Sequence, residues 1–268
     1  MALKDITLGQ FFPGNSPIHR LDPRAKLIGL ILYIVALFLA GRWLTYLIVF
    51  LVLALVVAVS TVKVKALVRG MKPVVFLLVF TAVLNMFYTP GRALASFWIF
   101  TITYEGVVRA FFMVARILML ISCTFLLTYT TSPLALTDGL ESLLGPLKKI
   151  RVPVHELSMI MSIALRFIPT LIEETDKIMS AQRARGADFD SGNLVQKAKA
   201  LIPLLVPLFI SAFRRADELA TAMECRCYHG GEGRTRMNQL HYRAGDGLFL
   251  AAAFLLCVGI GVLAHFGW

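Results

Sequence analysis

The chain has no Asp or Glu at any position from residue 23 to residue 104. A soluble surface mixes charges of both signs, and a stretch of this length without a carboxylate fits a membrane block and little else. Other absences narrow the function. No G-x-x-x-x-G-K-[ST] sequence is present, so the chain lacks the usual loop that cradles ATP. Neither an H-E-x-x-H helix nor a nucleophile elbow occurs. Cysteine is sparse: Cys123, Cys225, Cys227 and Cys257 are the whole set. Two of these fall inside apolar blocks, which excludes a disulfide framework and points to a reducing compartment for the polar part. The first 26 residues are charged and proline-bearing, and they read as carrying no cleaved signal peptide.

What is present is apolar. Of 268 residues 58% are hydrophobic, and the mean hydropathy is +0.75, against roughly 45–50% apolar residues in an ordinary soluble domain. The net charge of +11 comes from 27 Lys and Arg against 16 Asp and Glu. The aromatic-plus-basic pattern of a nucleic-acid module is absent, so no nucleic-acid partner is expected. The excess cation is read instead as the loop charge that orients membrane proteins.

The expected fold is all-α: a polytopic membrane protein with about five transmembrane helices and about three cytoplasmic helices before the last span. Asp22-Pro23 is a helix start, Asp as N-cap and Pro at the first helical position. Predicted spans cover 27–40, 44–61, 73–88, 106–128 and 247–266. Lys63, Lys65, Arg69 and Lys72 form a predicted basic loop between the second and third. The segment 94–104 is too short to cross as a helix and is expected in the outer interface, or dipping in and returning. The basic residues before span one and between spans two and three place the N-terminus in the cytoplasm, and five spans place the C-terminus outside. Three regions follow: 1–128 with the first four spans, 129–243 as a cytoplasmic region, and 244–268 with the last span.

Residues 129–243 change character, with 15 Lys and Arg and 12 Asp and Glu. One predicted helix opens at Ser132-Pro133 and ends near Gly145-Pro146. The second covers about 154–185, with Leu157, Ile160, Ala164, Ile168, Leu171 and Ile172 on one stripe. The third covers about 194–226, bent by Pro203 and Pro207. Its apolar part, 201–213, is too short to cross.

Four features invite a functional reading. Gly230-Gly231-Glu232-Gly233-Arg234-Thr235-Arg236 lacks the Lys-Ser/Thr and preceding strand of a phosphate loop and reads as a flexible basic linker. Cys225, Cys227 and His229 offer metal ligands, but no second pair of ligands accompanies them, and they read as compact side chains at a packed helix end. Arg116, deep in the fourth span with Arg109 on the same face, must face protein or water. A carbonyl or amide such as Asn85 would satisfy it, and contact with another subunit is the functional alternative. Glu105 is placed to pair with Arg109. Finally, Ala184-Arg185-Gly186 and Cys225-Arg226-Cys227 each put an Arg between two small residues at a helix C-terminus. A cation is favoured there, small flanks permit close approach, and a guanidinium can pair bidentately with a carboxylate.

The two arginine ends do not stand alone. With Ser16-Pro17-Ile18-His19-Arg20-Leu21-Asp22-Pro23-Arg24-Ala25-Lys26, Thr130-Thr131-Ser132-Pro133, Leu136-Thr137-Asp138-Gly139-Leu140-Glu141 and Leu165-Arg166-Phe167-Ile168-Pro169-Thr170, they make the chain resemble the T component of energy-coupling factor (ECF) transporters over nearly its whole length. The family carries two Ala-Arg-Gly triplets; the first is intact here, and the second keeps only its Arg. The resemblance implies a non-catalytic transmembrane subunit in the cell membrane. Two ABC-type ATPase subunits would dock on the helix ends at Ala184, Arg185, Gly186, Cys225, Arg226 and Cys227. A substrate-binding S component would be held alongside, for vitamin or metal-ion uptake. ATP would bind on the partners, and no cofactor or metal on this chain. The competing readings are an ABC permease half with its own substrate pocket and, in another class, a membrane-embedded thiol or metal enzyme using Cys225, Cys227 and His229.

Overall fold

A computed structural model describes residues 11–97, 100–187, 189, 193–230 and 239–266. The architecture is helical. In chain order the elements are α1 (Pro23–Leu39), α2 (Trp43–Ser60), α3 (Val64–Tyr88), a short ribbon β1 (Ala93–Phe97) and β2 (Phe100–Thr103), α4 (Tyr104–Thr130), α5 (Pro133–Leu144), a 3-10 turn Gly145–Ile150, α6 (Val154–Ala184), α7 (Leu194–Ala200), α8 (Ile202–Cys225) and α9 (Ala244–His265). They fall into two compact units, one holding α1–α5 and α9, the other α6–α8.

Helix starts follow local chemistry. Asp22 caps α1 by accepting the Arg24 amide at 2.8 Å, with Pro23 next to it. Thr103 caps α4 by accepting the Gly106 amide at 3.2 Å, and Ser132 accepts the Ala135 amide at 3.3 Å at the head of α5. Each such side chain satisfies one of the amides that a helix start leaves without a backbone partner.

Among the described residues five helices are long and apolar enough to cross a membrane by length and composition: α2, α3, α4, α6 and α9. The chain is a multi-pass membrane protein. The set differs from the expected one in two members. At 17 residues, α1 spans only about 26 Å, short of a hydrocarbon core of about 30 Å. Helix α6, with 31 residues, carries five of its charges from Glu173 onward and leaves an apolar stretch of 18 residues before them, long enough to qualify. Helix α1 nevertheless packs with α9, α4 and α2. The core there is Tyr33, Ala36, Leu37, Ala40, Tyr46, Val49, Leu53, Met119 and Ile260. At Gly29 a Cβ would run into the Phe249 ring, so glycine is what lets α9 approach α1 this closely.

Other expectations are corrected in detail. The basic residues Lys65, Arg69 and Lys72 lie inside α3, which runs through Pro73; one proline removes a single ladder bond and does not end a helix this long. The 94–104 segment is an antiparallel ribbon pairing Phe97 with Phe100 and Ala93 with Thr103. The predicted third polar helix is broken at Leu201, where α8 begins with Pro203 in its first turn. Proline is tolerated there because the first helical amides have no intrahelical acceptor, so Pro203 opens a helix instead of bending one. Residues 231–236 of the basic linker lie outside the described residues.

Candidate functional site: two arginine-bearing helix ends

Helix α6 ends in a six-residue cap. Arg185 is the C-cap, the Gly186 amide donates to the Arg183 carbonyl at 3.0 Å, and the Ala187 amide to the Gln182 carbonyl at 3.0 Å. Helix α8 ends in the same way. Arg226 is the C-cap, the Cys227 amide donates to Glu224 at 2.8 Å, and the Tyr228 amide to Met223 at 3.1 Å. This pair of bonds is the Schellman motif, which requires a left-handed residue just after the cap. Gly186 has φ +89° and Cys227 has φ +54°. Gly186 therefore has a backbone reason, which Cys227 does not share. Glycine adopts that conformation without cost, and a residue with a Cβ adopts it at about 1–2 kcal/mol.

The cap turns the Arg outward. Ala184, Arg185, Gly186, Cys225, Arg226 and Cys227 are all exposed. Among the described residues neither the Arg185 nor the Arg226 guanidinium has a partner, whereas nearby Arg183 lies 5.9 Å from the Phe189 ring. A cation at the C-terminal end of a helix meets the negative pole of the backbone dipoles, which suits it to hold an incoming carboxylate as well.

Helices α6 and α8 run antiparallel. Arg215 donates to Glu174 Oε2 at 2.9 Å, Ser211 also bonds to the Glu174 carboxylate, and Gln182 Nε2 donates to the Pro203 carbonyl at 3.2 Å. The Arg185 end thus lies beside the start of α8, and Arg226 lies at its far end, 24 helical residues away. At 1.5 Å per residue the two arginines stand on the order of 35 Å apart. Sequence reasoning missed Glu174, Ser211, Arg215 and Gln182. Their only signal was polar residues on two separate helices, with nothing local to pair them.

The N-terminal segment around Asp22 does something else: it ties the other unit together. The Asp22 amide donates to Asp246 Oδ1 at 2.8 Å, and the Arg243 amide to Asp246 Oδ2 at 2.7 Å. Arg24 pairs with Asp22 at 2.9 Å, donates to Ser142 Oγ at 3.3 Å and lies 4.1 Å over the Tyr242 ring. Burial alone would push the Asp22 carboxyl up, but the hydrogen bonds and charge of Arg24, with Lys26 behind it, hold it below the usual range. Lys26 donates to the His19 carbonyl at 3.3 Å, the Thr130 carbonyl at 2.9 Å and Thr131 Oγ1 at 3.1 Å.

Arg116 is satisfied within the chain. Its Nε donates to the Tyr46 hydroxyl at 2.9 Å, and a terminal nitrogen donates to the Ala40 carbonyl at 3.1 Å, at the C-cap of α1. Asn85 is not its partner: the Asn85 amide donates to the Thr81 carbonyl at 3.0 Å and approaches Met113 Sδ at 3.0 Å. Glu105 likewise turns from Arg109 and accepts the Arg92 amide at 2.7 Å. Among the described residues no three His, Cys, Asp or Glu side chains lie together as a metal site needs.

Two matched, exposed arginine caps thus stand on one helix pair of a multi-pass helical membrane protein. The family model described as CbiQ, cobalt transport protein, matches residues 14–237. Relatives named energy-coupling factor transporter transmembrane protein EcfT include those of Ruminiclostridium cellulolyticum, 54% identical over 91% of this chain and 91% of the relative, and Thermosediminibacter oceani, 53% identical over 99% and 100%. A further one, from Lactococcus lactis subsp. cremoris, is 45% identical over 96% and 97%. The chain belongs to this family, that of the ECF transporter transmembrane (T) components.

Proposed function

We propose that the chain couples ATP hydrolysis on partner subunits to substrate uptake and carries out no chemistry itself. Two ABC-type ATPase subunits dock on it, one at Arg185 and one at Arg226. A separate substrate-binding membrane protein, the S component, receives the resulting motion and delivers a vitamin or metal ion. In this reading α1 crosses together with α2, α4 and α9, against which it packs, α3 crosses as well and α6 does not, so that the region 129–243 faces the cytoplasm, with the N-terminus on that side and the C-terminus outside.

The observation that carries the reading is the recurrence of one cap, with an exposed Arg that has no partner among the described residues at the same position, at two helix ends on the order of 35 Å apart. That separation exceeds the reach of one small groove and suits one site on each of two subunits. The clasp of Glu174 with Ser211 and Arg215 supports a transmitting role, because displacement of either helix end is then felt by the other helix. Co-purification tests it. Arg185→Glu/Arg226→Glu should lose both the ATPase subunits and uptake while remaining in the membrane, since like charges then face each other. Wild-type assembly and uptake in that variant would end the proposal.

A further inference from the structure

A cavity of ≈ 310 Å³ lies among α1, α2, α4 and α9. Its walls are side chains such as Leu30, Leu53, Val56, Leu127 and Leu256, with Lys26 and Thr130 at one end. The polar groups at its edge are already used. Lys26 has three acceptors, Thr130 Oγ1 donates to the Leu126 carbonyl at 2.8 Å, and the Tyr33 hydroxyl donates to the Val49 carbonyl at 3.4 Å. A water placed here would lack the two to four partners that hold buried water. Leaving the space empty forfeits packing in proportion to its volume.

The mouth shows what can enter. Leu55 and Ala252 line the cavity and are exposed, Leu55 by 65%. They share the outer flanks of α2 and α9 with exposed Leu51 and Leu255. Both helices are apolar enough to cross a membrane, so the opening faces hydrocarbon. From Lys26 to Tyr33 the cavity follows α1 for about 10 Å.

We propose that this cavity holds one acyl chain of a bilayer phospholipid, admitted between α2 and α9. The chain enters from the leaflet where α1 begins, because Lys26 and Thr130 mark that end. Recognition is of the hydrocarbon, not the headgroup, because Lys26, the cation among the described lining residues, is fully engaged by protein acceptors.

The test reconstitutes the full-length protein in vesicles of phosphatidylglycerol and phosphatidylethanolamine, with one or the other carrying a diazirine on its acyl chain. After photolysis, peptides are mapped. Label is expected on the wall residues Leu30, Cys123 and Leu127 from either lipid. Ala252→Phe, which narrows the mouth, should lower that label several-fold while label on outward-facing Leu51 is unchanged. Should Ala252→Phe fail to give monodisperse protein, the smaller Ala253→Leu is read in its place. Label confined to the outer face, wall label unchanged in the filled variant, or wall label from one headgroup only would each overturn the proposal.

Discussion

Gln182 donates its side-chain amide to the Pro203 carbonyl at 3.2 Å, the carbonyl that Pro207, lacking an N–H, leaves unpaired four residues on. One side chain on α6 thus repairs a gap in the ladder of α8, and it does so within a turn of Arg185. The bond is exposed, and Gln182→Ala should cost about 0.5–1 kcal/mol. Pro207→Ala supplies the missing amide, so Gln182→Ala in that background should cost measurably less. A double-mutant cycle on thermal unfolding in detergent reads the difference, and strict additivity would show that Gln182 does not serve this carbonyl.

Asp246 is 1% exposed and accepts two backbone amides. Asp246→Ala would leave the Asp22 amide buried and unpaired, at about 1–3 kcal/mol, whereas the part-buried Arg243 amide can turn to water, so a total of about 1–3 kcal/mol is expected from melting curves. Asp246→Asn keeps one acceptor and should fall between.

What was legible in the sequence was local. Asp22-Pro23 announces its cap because the partner amide is two residues away, and both arginine ends are visible because a helix stop is written in adjacent residues. Partners far along the chain were not legible. Asp246 lies 224 residues from Asp22, and nothing near either names the other. Arg116 was recognised as needing a partner, but the Ala40 carbonyl is backbone and has no residue signature. Pro203 was misread because the same residue bends a helix from inside and starts one from its first turn. The small residues around the arginines were read as room for a partner; that Gly186 also answers to a positive φ was not legible, because the cap that requires it is a feature of the backbone.

Acid should weaken the Asp22 knot. The Asp22 pKa is lowered on folding: burial opposes this, but Arg24 outweighs it. With the folded pKa below the unfolded one, the stabilisation is present above the unfolded value of 3.8. It is lost as pH falls through the folded value, because the unfolded chain binds the proton first. Melting temperature against pH should drop below about pH 4 in the wild type, and Asp22→Asn should flatten that limb.

The two caps should respond oppositely to exchange of their left-handed residue. Cys227→Gly relieves a Cβ at φ +54° and should stabilise the end of α8 by about 1 kcal/mol; Gly186→Ala should weaken α6 by a similar amount. No atom lies within 4 Å of a Cβ at Gly186, so that cost is one of backbone conformation and not of collision. Hydrogen exchange at the Tyr228 and Ala187 amides, each bonded across its cap, reports the two ends separately. Faster exchange at Tyr228 in Cys227→Gly would contradict the assignment.

Charge and shape at Arg185 and Arg226 can be separated by lysine. A docking site that needs only a cation accepts Arg→Lys without loss. A carboxylate gripped by both arms of a guanidinium does not, because the ammonium is a point charge without the fork. Removing one member of a desolvated charge pair commonly costs about 2–5 kcal/mol, much of it the penalty of leaving the other charge buried alone. Retention of the ATPase subunits should therefore fall in the order Arg, Lys, Ala, Glu at each position. The series should be steeper at Arg185. In the proposed docking Ala184 and Gly186 would let a partner surface close on the guanidinium, whereas Cys225 and Cys227 would hold it farther off at Arg226 and leave more water in the contact. Salt gives an independent readout: a partly solvated pair is screened more than a buried one, so assembly through Arg226 alone, in Arg185→Ala, should weaken more with added salt than assembly through Arg185 alone, in Arg226→Ala. Equal salt sensitivity in the two single variants, with lysine as good as arginine at both, would reduce the two ends to general positive charge and remove the geometric role given to the caps.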